Sequence, residues 1–132
     1  MKWQKVAIAG AVLFIAGFLS GFIPQYQDAL KFAAQLKSLQ LQSKLREIRE
    51  LAALSYIDVS KMNYGSAAED SEGMFNVAKE VAKDTKDDGL RNSLMGLLAF
   101  RDAVKGKLSA GDASVLESLQ QIVQKTQTEL KH

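Results

Sequence analysis

The residues of this chain that could bind a metal ion or transfer a proton are few, and most are acidic. The densest group is Glu69, Asp70 and Glu72, and Asp87-Asp88-Gly89 resembles a fragment of a calcium loop. Carboxylates alone suit Mg²⁺ or Ca²⁺. However, acids in the first turn of a helix interact favourably with its dipole, and the aspartate pair lacks the alternating ligands and final Glu of a calcium loop. These acids are therefore expected to cap helices.

The chain lacks the residues on which most catalytic sites depend. It has no cysteine, and its single histidine is His132, the last residue. Thiolate nucleophiles, Cys-ligated metals and disulfides are therefore excluded. Neither a glycine-rich phosphate loop nor a GxSxG motif occurs, and no motif selects a Ser-Lys pair. We predict no catalytic, cofactor-binding or metal-binding residue, and no enzyme activity.

Charge is distributed unevenly along the chain. The formal net charge is +2, and Lys2 and Lys5 account for all of it. The remaining basic and acidic residues are equal in number, so the rest of the chain is neutral. Nucleic-acid binding usually needs a basic surface field. We therefore predict no nucleic-acid partner.

An uncharged apolar stretch runs from Val6 to Ile23 near the N-terminus. A helix of this length and composition predicts a transmembrane anchor, because about 20 apolar residues cross a bilayer. Trp3, Lys5 and Tyr26 flank the stretch at the positions expected for the membrane interface. The residues predicted to span the bilayer are Val6, Ile8, Leu13, Phe14, Ile15, Phe18, Leu19, Phe22 and Ile23.

A cleaved signal peptide is the alternative to an uncleaved anchor. The apolar run exceeds the usual 7–15-residue core of a signal peptide, and cleavage after Ser20 would leave Phe18 where a small residue is needed. Lys2 and Lys5 favour a cytoplasmic N-terminus, whereas the basic residues after the stretch favour the opposite orientation. We predict a single-pass protein of the inner (cytoplasmic) membrane, with its N-terminus in the cytoplasm and its domain periplasmic or otherwise extracytoplasmic.

Three glycines fall on one face of the predicted transmembrane helix. Gly17 and Gly21 have the GxxxG spacing, and Gly10 lies on the same side. Small residues at this spacing let two helix backbones approach closely. A homodimer through this face is one prediction; the other is that these glycines only reflect how common glycine is in membrane helices.

The chain after Pro24 predicts a soluble, all-helical domain. Pro24 divides an anchor, residues 1–24, from a domain of residues 25–132, and either starts a new helix or kinks a continuous one. Turn signals predict helices over about 25–63, 66–86, 88–108 and 112–130. Gly65 is predicted as a C-cap, and Ser66 with Glu69 as a capping box.

Short connections between these four helices predict antiparallel neighbours. The fold class is therefore all-α: one transmembrane helix followed by a four-helix antiparallel bundle or by two stacked helical hairpins. The expected core positions recur at helical spacing. They are Leu41, Leu45, Ile48 and Ala52; then Ala67, Ser71, Met74, Phe75, Ala78, Val81, Ala82 and Thr85; then Leu90, Leu94, Leu97, Leu98, Arg101, Val104 and Leu108; and finally Val115, Leu116, Leu119, Ile122, Val123, Thr126 and Leu130.

Part of the domain resembles half of a tetratricopeptide motif. The resemblance rests on Leu51, Leu54 and Ser55, followed by Tyr64 and Ala67. That family stacks helical hairpins of about 34 residues and binds peptides in the resulting groove. Asp58 and Ser71 depart from its pattern, and its typical proline is missing. The whole chain is also similar to small bacterial single-pass proteins of unknown function.

Two functions fit these patterns. The first is a membrane-anchored interaction or scaffold module with the bilayer and a protein as partners, which the tetratricopeptide resemblance implies. The second is a structural coiled-coil subunit of an envelope complex, acting through dimerisation of the Leu41–Ala52 seam. Arg101 interrupts an apolar stripe; it either extends past the core edge near Asp102 or Glu117 or contacts an acidic partner in a groove.

Overall fold

Leucine, alanine, glutamine and lysine are frequent throughout this chain, and all are good helix formers. The computed structural model describes the backbone of residues 2–130 and the side chains of residues 7 and 28–130. Its helices are α1 (Lys2–Ser60), α2 (Tyr64–Asp84), α3 (Asp88–Leu98), α4 (Arg101–Ser109) and α5 (Val115–Glu129). No strand occurs within residues 2–130, so the all-α prediction is confirmed.

Helix α1 continues through Pro24, where the sequence predicts a new helix or a kink. The chain divides into two units, residues 1–39 and residues 40–132. The second unit is an all-helical bundle that contains α2 to α5 and the last part of α1. The predicted start of the soluble domain at residue 25 therefore differs from the start of this unit.

The predicted anchor consists mostly of residues whose side chains lie outside the described set. Among the residues that the structure describes, no helix is both long enough and apolar enough to cross a membrane. Apart from Ala7, the predicted span Val6–Ile23 has side chains outside the described set. The same holds for Trp3, Lys5 and Tyr26, and the predicted glycine face of Gly10, Gly17 and Gly21 falls in the same undescribed stretch.

The core of the bundle is built from the predicted stripes. Leu45, Ile48 and Ala52 on α1 have no exposed surface, so this seam is buried inside the second unit. The later helices contribute the other predicted residues, with Thr85, Leu98, Arg101, Leu116 and Val123 half-buried at the edge. Leu41 on α1 is also half-buried, and Val59 is a core residue that the stripes did not include. The buried apolar residues of α2 to α5 and the segment after α5 are Ala67, Met74, Phe75, Ala78, Val81, Ala82, Leu90, Leu94, Leu97, Val104, Leu108, Val115, Leu119, Ile122 and Leu130.

Helices α1 and α2 form an antiparallel hairpin. Lys44 Nζ lies 2.6 Å from Glu80 Oε1. Two turns further along α1, the Cδ1 atom of Leu51 is within van der Waals reach of the position where Gly73 would carry a side chain. Leu51 and Gly73 therefore face each other at the middle of the hairpin, at an ordinary van der Waals separation that alanine would also accept.

The connection between α1 and α2 differs from the predicted capping box. Asn63, not Ser66, is the N-cap of α2, because its side-chain oxygen accepts a hydrogen bond from the Ser66 N–H at 3.3 Å. The left-handed residue is Met62, with a φ of 59°, whereas Gly65 lies within the first turn of α2. Turn residues identified this loop, but its cap lies three residues earlier than predicted.

The predicted helix over residues 88–108 is two helices. Asp87 caps α3 by accepting a hydrogen bond from the Leu90 N–H at 3.2 Å. At the other end, the Phe100 N–H donates to Leu97 O at 3.1 Å, three residues back instead of four. This tightened turn separates α3 from α4. Neither glycine nor proline occurs at Ala99-Phe100, so the sequence carries no break signal at this position.

Candidate binding groove between α2 and α4

A shallow groove of about 100 Å³ lies between α2 and α4. Its walls come from residues at helical spacing on the two helices, namely Ala68, Ser71, Glu72 and Phe75 on α2 and Arg101, Lys105, Leu108 and Ser109 on α4. Helices α2 and α4 pack against each other along this line. Positions three or four residues apart share a helix face, so each helix contributes one continuous wall.

The floor of the groove is apolar and its rim is polar. Phe75 and Leu108 are 2% and 4% exposed, and they belong to the core beneath the groove. Glu72, Lys105 and Ser109 are exposed at the rim. An apolar floor with a few polar groups above it is the usual composition of a site that accepts a side chain or a small ligand.

The positive charge of the groove lies on the α4 side. Arg101 is half-buried and Lys105 is exposed, and neither is within 4.0 Å of a carboxylate in the described part of the chain. Arg101 Nη2 instead donates to Asn76 Oδ1 at 3.4 Å. In the described residues Arg101 forms no ion pair with Asp102 or Glu117, so the guanidinium at the edge of the core remains available to an acidic ligand.

The hydroxyl groups of the groove are held by backbone carbonyls. Ser71 Oγ donates to Ala68 O at 3.1 Å, and Ser109 Oγ donates to Lys105 O at 2.9 Å. Serine and threonine commonly make such bonds within helices. In the described residues, no group of three or more His, Cys, Asp or Glu side chains is arranged to hold a metal ion. His132 lies outside the described residues.

A second polar feature lies at the loop end of the α1–α2 hairpin. The Asp58 and Asp70 side chains face each other, and Asp58 Oδ2 is buried without a hydrogen-bond partner. Burial raises the pKa of Asp70, and the hydrogen bond and negative charge of Asp58 raise it further. A protonated Asp70 can donate to Asp58, which makes this a carboxyl–carboxylate pair.

The tetratricopeptide-like residues lie on this same hairpin. Ala67 is fully buried, Leu51 and Tyr64 are half-buried, and Leu54 is exposed. Ser55 is buried and donates to Leu51 O at 2.7 Å. The residues that carry the resemblance thus lie in part at the packed surface between the two helices and in part on the outside.

No protein family, curated protein or solved structure matches the chain. Four of the eight groove residues, Ser71, Phe75, Arg101 and Leu108, belong to the predicted core stripes, and Arg101 is the predicted interruption in one of them. The pairing of the α2 residues Ala68 and Glu72 with Lys105 and Ser109 was not predicted. That pairing depends on how α2 crosses α4, which spacing within one helix does not determine.

Proposed function

We propose that this protein is a membrane-anchored helical interaction module that binds a segment of another protein in the groove between α2 and α4. The main support is Arg101 beside the apolar floor formed by Phe75 and Leu108, without a carboxylate partner in the described residues. A half-buried guanidinium prefers a carboxylate, with which it forms charge-assisted hydrogen bonds. The expected ligand carries an apolar side chain beside an Asp, Glu or C-terminal carboxylate.

The charges around the groove also suggest an orientation for this ligand. Arg101 and Lys105 come from α4, whereas the acidic rim residue Glu72 comes from α2. A ligand with its acidic group towards α4 avoids the like charge of Glu72. Electrostatic arrangements of this kind contribute more to specificity and association rate than to affinity.

The alternative function, a structural coiled-coil subunit acting through the Leu41–Ala52 seam, has less support. Leu45, Ile48 and Ala52 of that seam are fully buried within the second unit. A coiled-coil partner would have to displace the residues that already cover them, at the loss of their burial free energy. A buried seam beside a separate groove therefore favours the interaction module.

The membrane part of the proposal depends on the uncharged run from Val6 to Ile23. We propose a single-pass inner-membrane protein with a cytoplasmic N-terminus and an extracytoplasmic bundle. In this arrangement the anchor restricts the groove to the membrane surface, and the partner is expected there. The tetratricopeptide-like character of the α1–α2 hairpin is part of the same proposal, because that family binds peptides.

A random-peptide library displayed on phage tests the groove. The full-length protein in mild detergent should select peptides with an Asp or Glu next to a large apolar residue. Arg101→Glu with Lys105→Glu should lose this selection because the substitutions reverse the charge of the α4 wall. Lys61→Glu is the matched control, since Lys61 is exposed and lies outside the groove.

The far-ultraviolet circular dichroism of both charge variants should match that of the parent protein. Selection of basic peptides by the parent, or unchanged selection after reversal at Arg101 and Lys105, would contradict the proposed site.

A further inference from the structure

The part of α1 that precedes the bundle carries an uncovered apolar stripe. Phe32, Leu36 and Leu39 are 62%, 44% and 61% exposed. Together with Ala29 they follow a 3, 4, 3 spacing, which is the a and d pattern of a heptad repeat. These four residues, here called the stalk stripe, lie on one side of the helix, and all four are exposed.

We infer that the stalk stripe is the contact surface for the same stripe of a second copy of this chain, in a parallel two-helix stalk. With Ala29 and Leu36 at a and Phe32 and Leu39 at d, two copies in register bring identical apolar residues together. Each a or d side chain then enters a hole formed by four residues of the facing helix.

The residues beside the stalk stripe present no like charges that would oppose an identical partner. In this register the flanking e and g positions within residues 28–39 are Asp28, Ala33 and Gln35, and none is basic. Lys31 and Lys37 occupy c and b positions, away from the contact. Like charges at e and g commonly oppose self-pairing, and the parallel arrangement places Asp28 opposite the alanine of the partner.

The stalk stripe differs from the Leu41–Ala52 seam, for which the sequence left packing within the domain and dimerisation both open. Leu45 and Ile48 of that seam are fully buried in the bundle, whereas Phe32 and Leu39 are mostly exposed. Association through the stalk stripe therefore leaves the bundle and its groove intact. It would present two grooves on one membrane-anchored dimer.

The stalk stripe is too short to pair strongly by itself. It covers roughly three helical turns, about one and a half heptads, whereas coiled coils usually sustain their apolar repeat over three to four heptads. Attachment of both copies to one membrane raises their effective concentration. Gly21 of the predicted glycine face lies about five turns before Leu39, hence on the same side of an ideal helix, so contacts at the two places can form together.

Single-cysteine cross-linking in membranes tests this inference directly. Because the chain has no cysteine, each introduced thiol has only its copy as a disulfide partner within a homodimer. Leu36→Cys and Leu39→Cys in the full-length protein should give a disulfide-linked dimer after mild oxidation, with a yield at least several times that of the controls.

The controls lie outside the stalk stripe on the same helix segment. Leu30→Cys keeps an exposed apolar position, 54% exposed, but at b, and Ser38→Cys is at c. A yield that peaks at positions 29, 32, 36 and 39 supports the dimer. A cross-linking yield that is flat across residues 28–39, or that peaks at 30, 31 or 38, overturns the proposed dimer. The absence of any cross-linked dimer also overturns it, and is expected if lipid or a different protein covers the stripe.

These tests distinguish failure of the proposed binding groove from failure of the proposed dimer through the stalk stripe. Arg101→Glu with Lys105→Glu should leave the cross-linking pattern unchanged, because both residues belong to the bundle. Conversely, Leu36→Lys should reduce cross-linking through Leu39→Cys at least several-fold and leave peptide selection by the groove unchanged. An unchanged cross-linking yield after Leu36→Lys contradicts an apolar contact between copies.

Discussion

Asp70 is the described residue whose ionisation most directly opposes the fold. Its carboxyl group faces that of Asp58, which has a buried oxygen without a partner. Because burial and the neighbouring aspartate raise the pKa of Asp70 above its ordinary 3.8, the folded protein binds this proton more tightly than the unfolded chain. The stabilisation that this bound proton gives to the fold is fully present below pH 3.8, and it is lost as the pH rises through the raised pKa of Asp70.

Asp70→Asn should therefore raise the melting temperature of the bundle at pH 7. The amide can donate a hydrogen bond to Asp58 without a second negative charge. The difference between variant and parent should shrink as the pH falls towards 3.8, where Asp70 of the parent is protonated. Melting curves by circular dichroism across this pH range measure the effect.

Glu72→Gln provides the control for Asp70→Asn, because it removes an exposed carboxylate from the same helix. It should leave this pH dependence in place. If the melting temperatures of the two variants changed equally with pH, the Asp58–Asp70 contact would have no specific effect on stability.

The helices themselves were more predictable than the residues that end them. Apolar spacing identified the buried sides of α2, α3 and α5, because burial follows the 3.6-residue period directly. The cap at Asn63 and the break at Ala99-Phe100 were missed, since neither depends on a glycine or proline signal. The Asp58–Asp70 pair and the two walls of the groove require knowledge of how separate helices cross, which one helix's pattern does not contain.

Two glycine substitutions distinguish a helix interior from a turn. Gly106 lies within α4, and a side chain there would meet no atom within 4 Å. Gly106→Ala should increase the free energy of unfolding by roughly 0.5–1 kcal/mol, because alanine costs less conformational entropy in a helix. Gly111 has a φ of 64°, which strains any residue with a Cβ atom, so Gly111→Ala should lower the free energy of unfolding by about 1–2 kcal/mol.

Urea unfolding followed by circular dichroism measures both glycine variants. A space-filling effect would act similarly at the two positions, since both are open. Opposite signs therefore identify backbone conformation as the cause. Stabilisation by Gly111→Ala would contradict the left-handed turn between α4 and α5.

At the scale of the whole molecule, the sequence predicts two parts with different surroundings, an anchor in the lipid bilayer and a bundle in water. The bundle of residues 40–132 carries 13 Lys and Arg against 14 Asp and Glu, and its core is covered by its own helices. The N-terminal run is uncharged over residues 6–23 and meets the length that a bilayer requires. The proposed membrane location therefore depends on the first unit, whereas the proposed groove depends on the second.

The protein should stay in the membrane fraction after carbonate extraction and retain residues 1–23 by intact-mass measurement. Ile15→Arg with Leu19→Arg should release it, because each arginine near the bilayer centre costs about 2.5–3.5 kcal/mol for insertion. Lys31→Arg is the control outside the apolar run.

Alkaline phosphatase fused after His132 tests the orientation, and an active fusion is expected for an extracytoplasmic bundle. A mature N-terminus between residues 18 and 35 would identify a cleaved signal peptide instead. An inactive fusion that is stably produced would reverse the proposed orientation.

Successive helices from α1 to α5 are joined by segments of five residues or fewer. Such local topology folds in microseconds to milliseconds, because little loop-closure entropy is lost before contacts form. Helix α5 nevertheless supplies Val115, Leu119 and Ile122 to the core. At about 5–20 residues per second, ribosomes need roughly a second to add this helix. The rate of translation, not the rate of folding, therefore sets how long the apolar sides of α3 and α4 remain exposed before α5 packs against them. Nascent chains are accessible to chaperones during that interval.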